Sequence, residues 1–190
     1  MITDSTSEEF FEAKYRQSPD PWGFASEPYE LDRYDAIMAA LAGRYRRVFE
    51  PGCSIGVLTE RLASVSDSVS ACDISTRAVL RARERCRRLP NVAIMRGALP
   101  DAVPGGVFDL VVFSEIGYYF DAPELDRLIG QLLAQLISGG TFLAAHWLGF
   151  SKDHKLSGDQ VHSIIATSPL LTLIDSKLYQ QFRIDRWIRK

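Results

Sequence analysis

A glycine-containing turn is the first feature of this sequence that could do chemistry. Residues 50–56 read Glu-Pro-Gly-Cys-Ser-Ile-Gly, and they complete a short predicted strand and lead into a predicted helix. Gly52 and Gly56 permit a sharp turn and let a ligand approach the backbone closely. Glu50 adds a carboxylate that would repel a bound phosphate, so the turn favours a ligand that carries positive charge. The alternative is an ordinary glycine turn between a strand and a helix.

An acidic residue, Asp73, ends the next predicted strand, 17 residues after Gly56. A carboxylate in that place can accept hydrogen bonds from both hydroxyls of a ribose. Asp73 could instead cap the helix predicted to begin near Ser75 and Thr76. The dinucleotide fingerprint Gly-x-Gly-x-x-Gly has a different spacing from residues 50–56, and it serves to bind a pyrophosphate. A ligand with a ribose and a cationic centre but no phosphate describes S-adenosylmethionine.

A second group of candidate residues follows the fourth predicted strand. Residues 114–119 read Ser-Glu-Ile-Gly-Tyr-Tyr. Glu115 could orient an amine or accept its proton, and Tyr118 and Tyr119 could line the acceptor site; the alternative is a helix-capping glutamate with core tyrosines. We expect His146, late in the fifth predicted strand, to point toward the pocket mouth. There it could act as a general base, or it could be a strand-end histidine whose hydrogen bonds are satisfied.

The segment before the sheet is rich in aromatic residues. Tyr15, Trp22 and Arg33 are candidate substrate or lid residues, and Tyr29 lies between them in the sequence. Aromatic rings could fold over the cofactor as a lid and offer flat faces to a sugar ring. Alternatively, they bury the open side of the sheet.

Strand and helix patterns alternate along most of the chain. Apolar runs predict strands at 47–50, 68–72, 92–95, 108–113, 140–147, 170–178 and 181–188. Helical patterns cover 8–15, 29–42, 57–63, 76–88, 123–136 and 158–166. Alternating strands and helices form right-handed parallel crossovers, whereas the short connection between the last two strands predicts an antiparallel pair.

We therefore predict an α/β fold, a Rossmann-like, doubly wound and mostly parallel seven-stranded sheet with a terminal antiparallel hairpin strand. It forms a single domain over 1–190, with an N-terminal helical cap or lid at 1–43 and a sheet core at 44–190. In an open sheet of this kind, ligands bind beyond the carboxyl ends of the strands, where the strand order reverses.

Composition argues against several classes of partner. The chain has 190 residues, 46% of them hydrophobic and 24% charged, with a formal net charge of -2. A nucleic-acid partner would favour a basic excess, and the arginine-rich run at 81–88 fits a solvated helix surface. Apolar stretches are shorter than the roughly 20 residues that a membrane-spanning helix needs, and residues 1–5 lack a secretory pattern. We expect neither nucleic acid nor membrane as a partner.

The cysteines and histidines indicate neither disulfides nor a metal site. Three cysteines without Cys-x-x-Cys spacing suggest reduced thiols and a cytoplasmic location. His146, His154 and His162 lie eight residues apart, a spacing that matches no common ligand motif. We expect no bound metal.

The motifs together resemble those of a known enzyme family. Residues 50–56, Asp73 and residues 108–115, which read Phe-Asp-Leu-Val-Val-Phe-Ser-Glu, resemble the class I S-adenosylmethionine-dependent methyltransferases over about 45–147. The Asp-Pro-Trp segment at 20–22 and the arrangement of the chain are more similar to the nodulation protein S group. Members of that group are N-methyltransferases that act on a glucosamine amine of chitooligosaccharides.

This resemblance implies a site for S-adenosylmethionine, with S-adenosylhomocysteine as the product and no metal. It puts Glu50 and Gly52 at the methionine end of the cofactor, Asp73 at the ribose hydroxyls and Ile74 against the adenine. The implied cofactor-binding set is Glu50, Gly52, Cys53, Ser54, Gly56, Asp73, Ile74, Gly97, Ala98 and Ser114.

Two positions depart from the family pattern. Ser54 stands where the middle glycine of the turn is usual, which is tolerable if its backbone angles are ordinary. Gly97 replaces the acidic residue often found near the adenine amine, so backbone groups around Gly97 and Ala98 would take over its role.

The predicted function is methyl transfer from S-adenosylmethionine to an amine of a sugar or oligosaccharide, with Glu115 and His146 as the candidate catalytic residues. One alternative is a small-molecule N- or O-methyltransferase of another pathway. Others are an NAD-dependent oxidoreductase on a similar sheet and a non-catalytic, methyltransferase-like binding module. The sequence predicts no particular oligomeric state.

Overall fold

The computed structural model describes residues 7–190, so residues 1–6 of the predicted cap lie outside the described part. The helices are α1 (Glu8–Gln17), α2 (Pro28–Ala40), α3 (Val57–Leu62), α4 (Thr76–Arg85), α5 (Ala122–Gln135) and α6 (Gly158–Ala166). The strands are β1 (Tyr45–Pro51), β2 (Ser66–Asp73), β3 (Val92–Arg96), β4 (Phe108–Ser114), β5 (Leu136–Trp147), β6 (Leu171–Leu178) and β7 (Phe182–Arg189). Short 3₁₀ turns occur at Ala63–Val65 and Gly117–Tyr119.

All seven strands form one mixed sheet with the order β3-β2-β1-β4-β5-β7-β6. β1 pairs in parallel with both β2 and β4, so the strand order reverses on either side of β1. At the other edge, β7 runs antiparallel to both β5 and β6. The predicted fold class is confirmed, including the antiparallel hairpin at its end.

Two element boundaries differ by three residues or more from those predicted. β5 begins at Leu136 rather than at 140, because Phe108 of β4 already pairs with Leu136 before the register shifts. The shift passes through Gly139, whose φ is +78°, and two adjacent glycines in a sequence are more typical of a turn. α4 ends at Arg85 and not at 88.

Alternate residues of the central strands pack on opposite faces of the sheet. Val48 and Leu110 belong to the core beneath α2 and α3, whereas Phe49 and Val111 belong to the core beneath α5 and α6. This two-sided burial is the period-2 pattern of a strand covered by helices on both faces. It leaves the carboxyl ends of β1, β2 and β4 as the edge where loops can build a site.

Gly56, the residue before α3, is fixed by a close approach of α4. Its φ is +80°, and a Cβ atom there would lie 3.0 Å from both Cα and Cβ of Ala82. Gly43 has a similar φ of +82°, but a Cβ atom there would have no neighbour within 4 Å. Substitutions at the two glycines can therefore be compared to separate the cost of backbone strain from the cost of the contact with α4.

We predict that Gly56→Ala destabilises the protein more than Gly43→Ala. Both substitutions pay about 1–2 kcal/mol for an alanine in the left-handed region. Gly56→Ala adds a packing cost of about 1–3 kcal/mol because α4 must move. Urea unfolding of both variants measures the difference, and equal losses would show that contact with Ala82 does not constrain the turn.

Candidate functional site

Two connected cavities open at the carboxyl ends of β1, β2 and β4. The main cleft has a volume of about 470 Å³, and the side cavity next to it has a volume of about 180 Å³. Both are lined by Phe11, Gly52, Asp73, Ile116 and Tyr119. The cavities therefore meet at the point where the strand order reverses.

Gly52 forms the tightest part of the turn after β1. The backbone N–H groups of Gly52 and Cys53 both donate to the Cys72 carbonyl, at 2.8 and 2.9 Å, which ties the turn to β2. Gly52 has a φ of +75°, and a Cβ atom there would lie 2.3 Å from Cγ2 of Ile116. A side chain at this position would collide with Ile116, which lines both cavities.

Ser54 adopts a left-handed conformation, with a φ of +50°. Its backbone angles are therefore not the ordinary ones that a serine in place of the usual glycine would prefer. Two contacts hold this conformation: the Ser54 N–H donates to Oδ2 of Asp73 at 2.9 Å, and the Tyr15 hydroxyl lies 2.5 Å from Oγ of Ser54. The second contact fastens α1 to the turn.

Asp73 lies at the junction of the cavities with both carboxylate oxygens engaged. Oδ2 accepts from the Ser54 N–H, and Oδ1 accepts from the Ser75 N–H at 2.9 Å. Burial raises the pKa of Asp73 to about 6, although these two hydrogen bonds act in the opposite direction. The cap of α4 is Ser75, whose hydroxyl accepts from the Ala78 N–H. Asp73 is thus oriented by the backbone toward the cavities.

Glu50 lies beneath the cavities, with only 3% of its surface exposed. Its Oε2 accepts a hydrogen bond of 2.6 Å from the Thr59 hydroxyl on α3. Burial raises the pKa of Glu50 to about 8, and the nearby Asp73 adds to the rise while the bond from Thr59 opposes it. A carboxylate buried in this way would be stabilised by a cation bound above it.

The side cavity contains the residues predicted to contact an adenine. Ile74, Gly97 and Ala98 line it together with Leu99 and Phe120. The Gly97 N–H donates to the Asp73 carbonyl at 3.0 Å, which joins the end of β3 to that of β2. The result is a small, largely apolar space beside a carboxylate, as a flat heteroaromatic ring attached to a ribose requires.

Four residues of the predicted cofactor set do not line either cavity: Glu50, Cys53, Gly56 and Ser114. Cys53 packs in a small core with Ala71 and Val79, and Gly56 contacts α4. Ser114 is buried at the end of β4, and its hydroxyl has no hydrogen-bond partner among residues 7–190. Of these four residues, Glu50, Cys53 and Gly56 make structural contacts that account for their positions.

Glu115 lines the main cleft on the acceptor side, and its carboxylate is firmly held. Its φ is +60°. Oε1 accepts from the Trp147 N–H at 2.7 Å, and Oε2 accepts from the Tyr118 hydroxyl at 2.6 Å. Nη1 of Arg33 lies 3.3 Å from the same Oε2. Glu115 therefore fixes Tyr118 and β5 around the cleft.

A buried arginine links two carboxylates at this end of the cleft. Arg33 is 1% exposed and contacts both Glu115 and Glu30, one turn before it on α2. Burial raises the pKa of Glu30 to about 7, while Arg33 acts against the rise. Glu30 was not predicted as a site residue from the sequence; its i, i+3 spacing from Arg33 was the available signal.

His146 lies below the cleft rather than at the pocket mouth. It is fully buried, and its Nε2 accepts from the Gly117 N–H at 3.1 Å. Nδ1 of His146 then carries the ring proton and donates to Nε2 of His162 at 3.2 Å. Nδ1 of His162 in turn donates to Asp185 at 2.8 Å. Burial lowers the pKa of His146 well below its ordinary value. This series of hydrogen bonds holds the 3₁₀ turn that carries Tyr118 and Tyr119.

Aromatic rings form the wall of the main cleft opposite the sheet. Tyr15 packs edge-on against Trp22, and Trp22 stacks on Phe24 with ring centres 5.6 Å apart. On the acceptor side, His154 stacks on Tyr118 at 3.7 Å. His154 lies in a loop, and its sequence position gives no sign that it reaches the cleft.

No group of residues suited to holding a metal ion occurs within the described range 7–190. None of the helices in that range combines the length and the apolar character needed to cross a membrane.

A family comparison identifies the protein type to which this architecture belongs. The family model described as Nodulation protein S (NodS) matches residues 5–178. The chain belongs to the nodulation protein S family. It is 30% identical over 124 residues to Nodulation protein S of Rhizobium tropici, which is 64% of this chain and 52% of that protein. The Azorhizobium caulinodans protein of the same name is 34% identical over 129 residues, covering 65% and 61%. These matches thus span about half to three-fifths of the relatives' length.

Solved structures agree with the NodS family fold. A Pseudomonas syringae protein, described as a candidate methyltransferase, is 40% identical, with a TM-score of 0.77 over 86% of this chain and 100% of that one. N-methyltransferase NodS from Bradyrhizobium japonicum WM9, solved in complex with S-adenosyl-L-homocysteine, is 21% identical. Its TM-score is 0.85 over 98% of both chains, which supports the same fold across nearly the whole sequence.

We predict that Glu50→Gln stabilises the ligand-free protein, and more at pH 8 than at pH 5. Because the folded-state pKa of about 8 exceeds the ordinary value of 4.5, the folded protein keeps a proton that the unfolded chain releases. The wild type therefore loses stability as the pH rises from 4.5 to about 8. The glutamine of the variant has no proton to release, and it still accepts the bond from Thr59.

The difference in unfolding free energy should grow by about 1 kcal/mol or more between the two pH values in urea titrations. Glu60→Gln, at an exposed carboxylate on α3, controls for the change of charge. A Glu50→Gln effect that is the same at both pH values would contradict the burial of an ionisable Glu50.

Proposed function

We propose that the protein is an S-adenosylmethionine-dependent methyltransferase that methylates an amine of a sugar or oligosaccharide, of the chitooligosaccharide kind. The observation that carries the proposal is the junction of the two cavities. There, the Asp73 carboxylate and the bare backbone of Gly52 line both cavities at the reversal of strand order, and Glu50 is buried two residues before Gly52. Membership of the NodS family supports the same conclusion.

The residues present fit this cofactor in three respects. Asp73 would hold the ribose hydroxyls, with its carboxylate already oriented by Ser54 and Ser75. The side cavity would take the adenine. Gly52 presents bare backbone to both cavities, where the methionine end would lie. A cationic sulfonium in this place would offset the cost of the buried carboxylates. When bound, the cofactor supplies an activated methyl group for in-line displacement.

The acceptor side of the main cleft suits an amino sugar. Trp22 and His154 line the main cleft, and each has only one ring face stacked on a neighbouring ring, so the other face could pack against a sugar ring. Glu30 and Glu115 share a single buried guanidinium, so the cleft retains an excess of negative charge for an amine. The chain itself positions the acceptor and excludes water, and these two tasks supply much of the rate of a displacement reaction.

Two alternatives are less well supported. An NAD-dependent oxidoreductase would need its pyrophosphate near the turn, where Glu50 and Asp73 would repel it. A non-catalytic module has no need of a buried Glu50 whose ionised form costs stability. The three cysteines are free and buried, and we propose a cytoplasmic location, where thiols stay reduced.

The proposed activity can be tested by methyl transfer. Purified protein is incubated with S-adenosylmethionine labelled on its methyl group and an N-acetylglucosamine trimer from which one acetyl group has been removed. We expect the label on the freed amine, because a lone pair on nitrogen is the nucleophile that the cleft accommodates. The fully acetylated trimer, matched in size and shape, is the control and should remain unlabelled.

Label on a hydroxyl of both trimers would contradict an amine as the acceptor but would still support methyltransferase activity. Label on neither, with S-adenosylhomocysteine bound, would contradict the sugar acceptor.

A further inference from the structure

We propose that Glu30 is the acceptor-binding carboxylate, which receives the ammonium form of the amine in the main cleft and takes its proton. This inference rests on the proposed function and extends it by naming the residue that selects a cationic acceptor. Sequence patterns instead favoured Glu115 and His146 for this role.

Glu30 has the position that the role requires. It lies in the first turn of α2 and lines the main cleft together with Gly52, Asp73 and Glu115. Only 7% of its surface is exposed. Its Oε2 forms a buried ion pair with Nη2 of Arg33. Because Arg33 also contacts Glu115, one guanidinium serves two carboxylates, and a cationic N–H donor in the cleft would add a second charge-assisted partner for Glu30.

The local charge also favours a cation. Arg33 contacts Glu30 and Glu115 at once, so two carboxylates share one positive charge. The charge of Asp20 also raises the pKa of Glu30, and Tyr29, the residue before it, lines the same cleft. An ammonium group bound at Glu30 would bring the Glu30–Arg33–Glu115 cluster to neutrality.

Glu115 and His146 are less suited to the task because hydrogen bonds to the backbone hold them to the walls of the cleft. Both oxygens of Glu115 accept bonds, from the Trp147 N–H and the Tyr118 hydroxyl. Both ring nitrogens of His146 are engaged beneath the 3₁₀ turn, with Gly117 and His162. These two residues hold the walls of the cleft, whereas the Glu30 side chain lines the cleft and contacts Arg33.

The proton transfer is balanced without a further reactant. An N–H bond of the ammonium breaks, its electron pair stays on nitrogen, and the proton forms an O–H bond with the Glu30 carboxylate. The neutral amine then carries the lone pair that a displacement reaction needs. Burial raises the pKa of Glu30 to about 7, which brings it close to the value at which such an exchange is efficient.

The test compares two ligands on three proteins. Affinities of the singly deacetylated and fully acetylated N-acetylglucosamine trimers are measured by calorimetry, in the presence of saturating S-adenosylhomocysteine, for the wild type, Glu30→Gln and Asp32→Asn. Asp32 is exposed on the same helix, so its variant changes the same charge without touching the cleft. Titration with S-adenosylhomocysteine alone comes first and reports whether the cofactor site is intact.

We expect the wild type and Asp32→Asn to bind the free amine about tenfold or more tightly than its acetylated counterpart, as one charge-assisted hydrogen bond provides. Glu30→Gln should lose this preference while keeping its affinity for the acetylated trimer and S-adenosylhomocysteine. If Glu30→Gln does not fold, Glu30→Asp retains the charge with a shorter reach, and the preference should fall several-fold.

A preference that persists unchanged in Glu30→Gln or Glu30→Asp would overturn the role of Glu30 and leave the methyltransferase proposal intact. A wild type that does not bind S-adenosylhomocysteine would instead overturn the proposed function itself.

Discussion

The rest of this structure depends on the free-energy cost of burying carboxylates at the carboxyl edge of the sheet. Glu50 and Glu30 are buried there, and Asp73 and Glu115 border the same cavities. Burial raises the pKa of the first three toward neutrality. Among the arginines and lysines of residues 7–190, Arg33 is the one with a buried side chain. Within that range it forms ion pairs with Glu30 and Glu115 only. The fold thus carries an electrostatic cost that a cationic ligand would relieve.

The same constraint explains how the N-terminal helices are attached. The Tyr15 hydroxyl lies against Ser54, and Glu12 on α1 accepts from the Ser75 hydroxyl at 3.1 Å. On α2, Arg33 reaches across to Glu115 at the end of β4. These contacts place both helices over the cavities, where they exclude water and so strengthen every charge interaction inside. The helices that enclose the site are therefore held by the residues that form it.

Much of this arrangement could be predicted from the sequence, because spacing and strand order determine it. The turn at 50–56 and Asp73 end adjacent parallel strands, so their meeting point follows from topology alone. Glu30 could not be found in this way, since a glutamate in the first turn of a helix is usually solvated. The position of His146 was also predicted wrongly. Side chains alternate between the two faces of a strand, so an error of one residue puts a side chain on the opposite face of the sheet. The conformation of Ser54 depends on Asp73 and Tyr15, which are distant in sequence.

The most direct measurement is a calorimetric titration of the purified protein with S-adenosylhomocysteine, with NAD in parallel, for the wild type, Asp73→Ala and the exposed control Asp126→Ala. The account predicts micromolar binding of S-adenosylhomocysteine and none of NAD. Asp73→Ala should lose about 2–3 kcal/mol of binding free energy, because charge-assisted bonds to the ribose disappear, while Asp126→Ala should match the wild type. Binding of NAD alone, or an affinity for S-adenosylhomocysteine that Asp73→Ala leaves unchanged, would contradict the account.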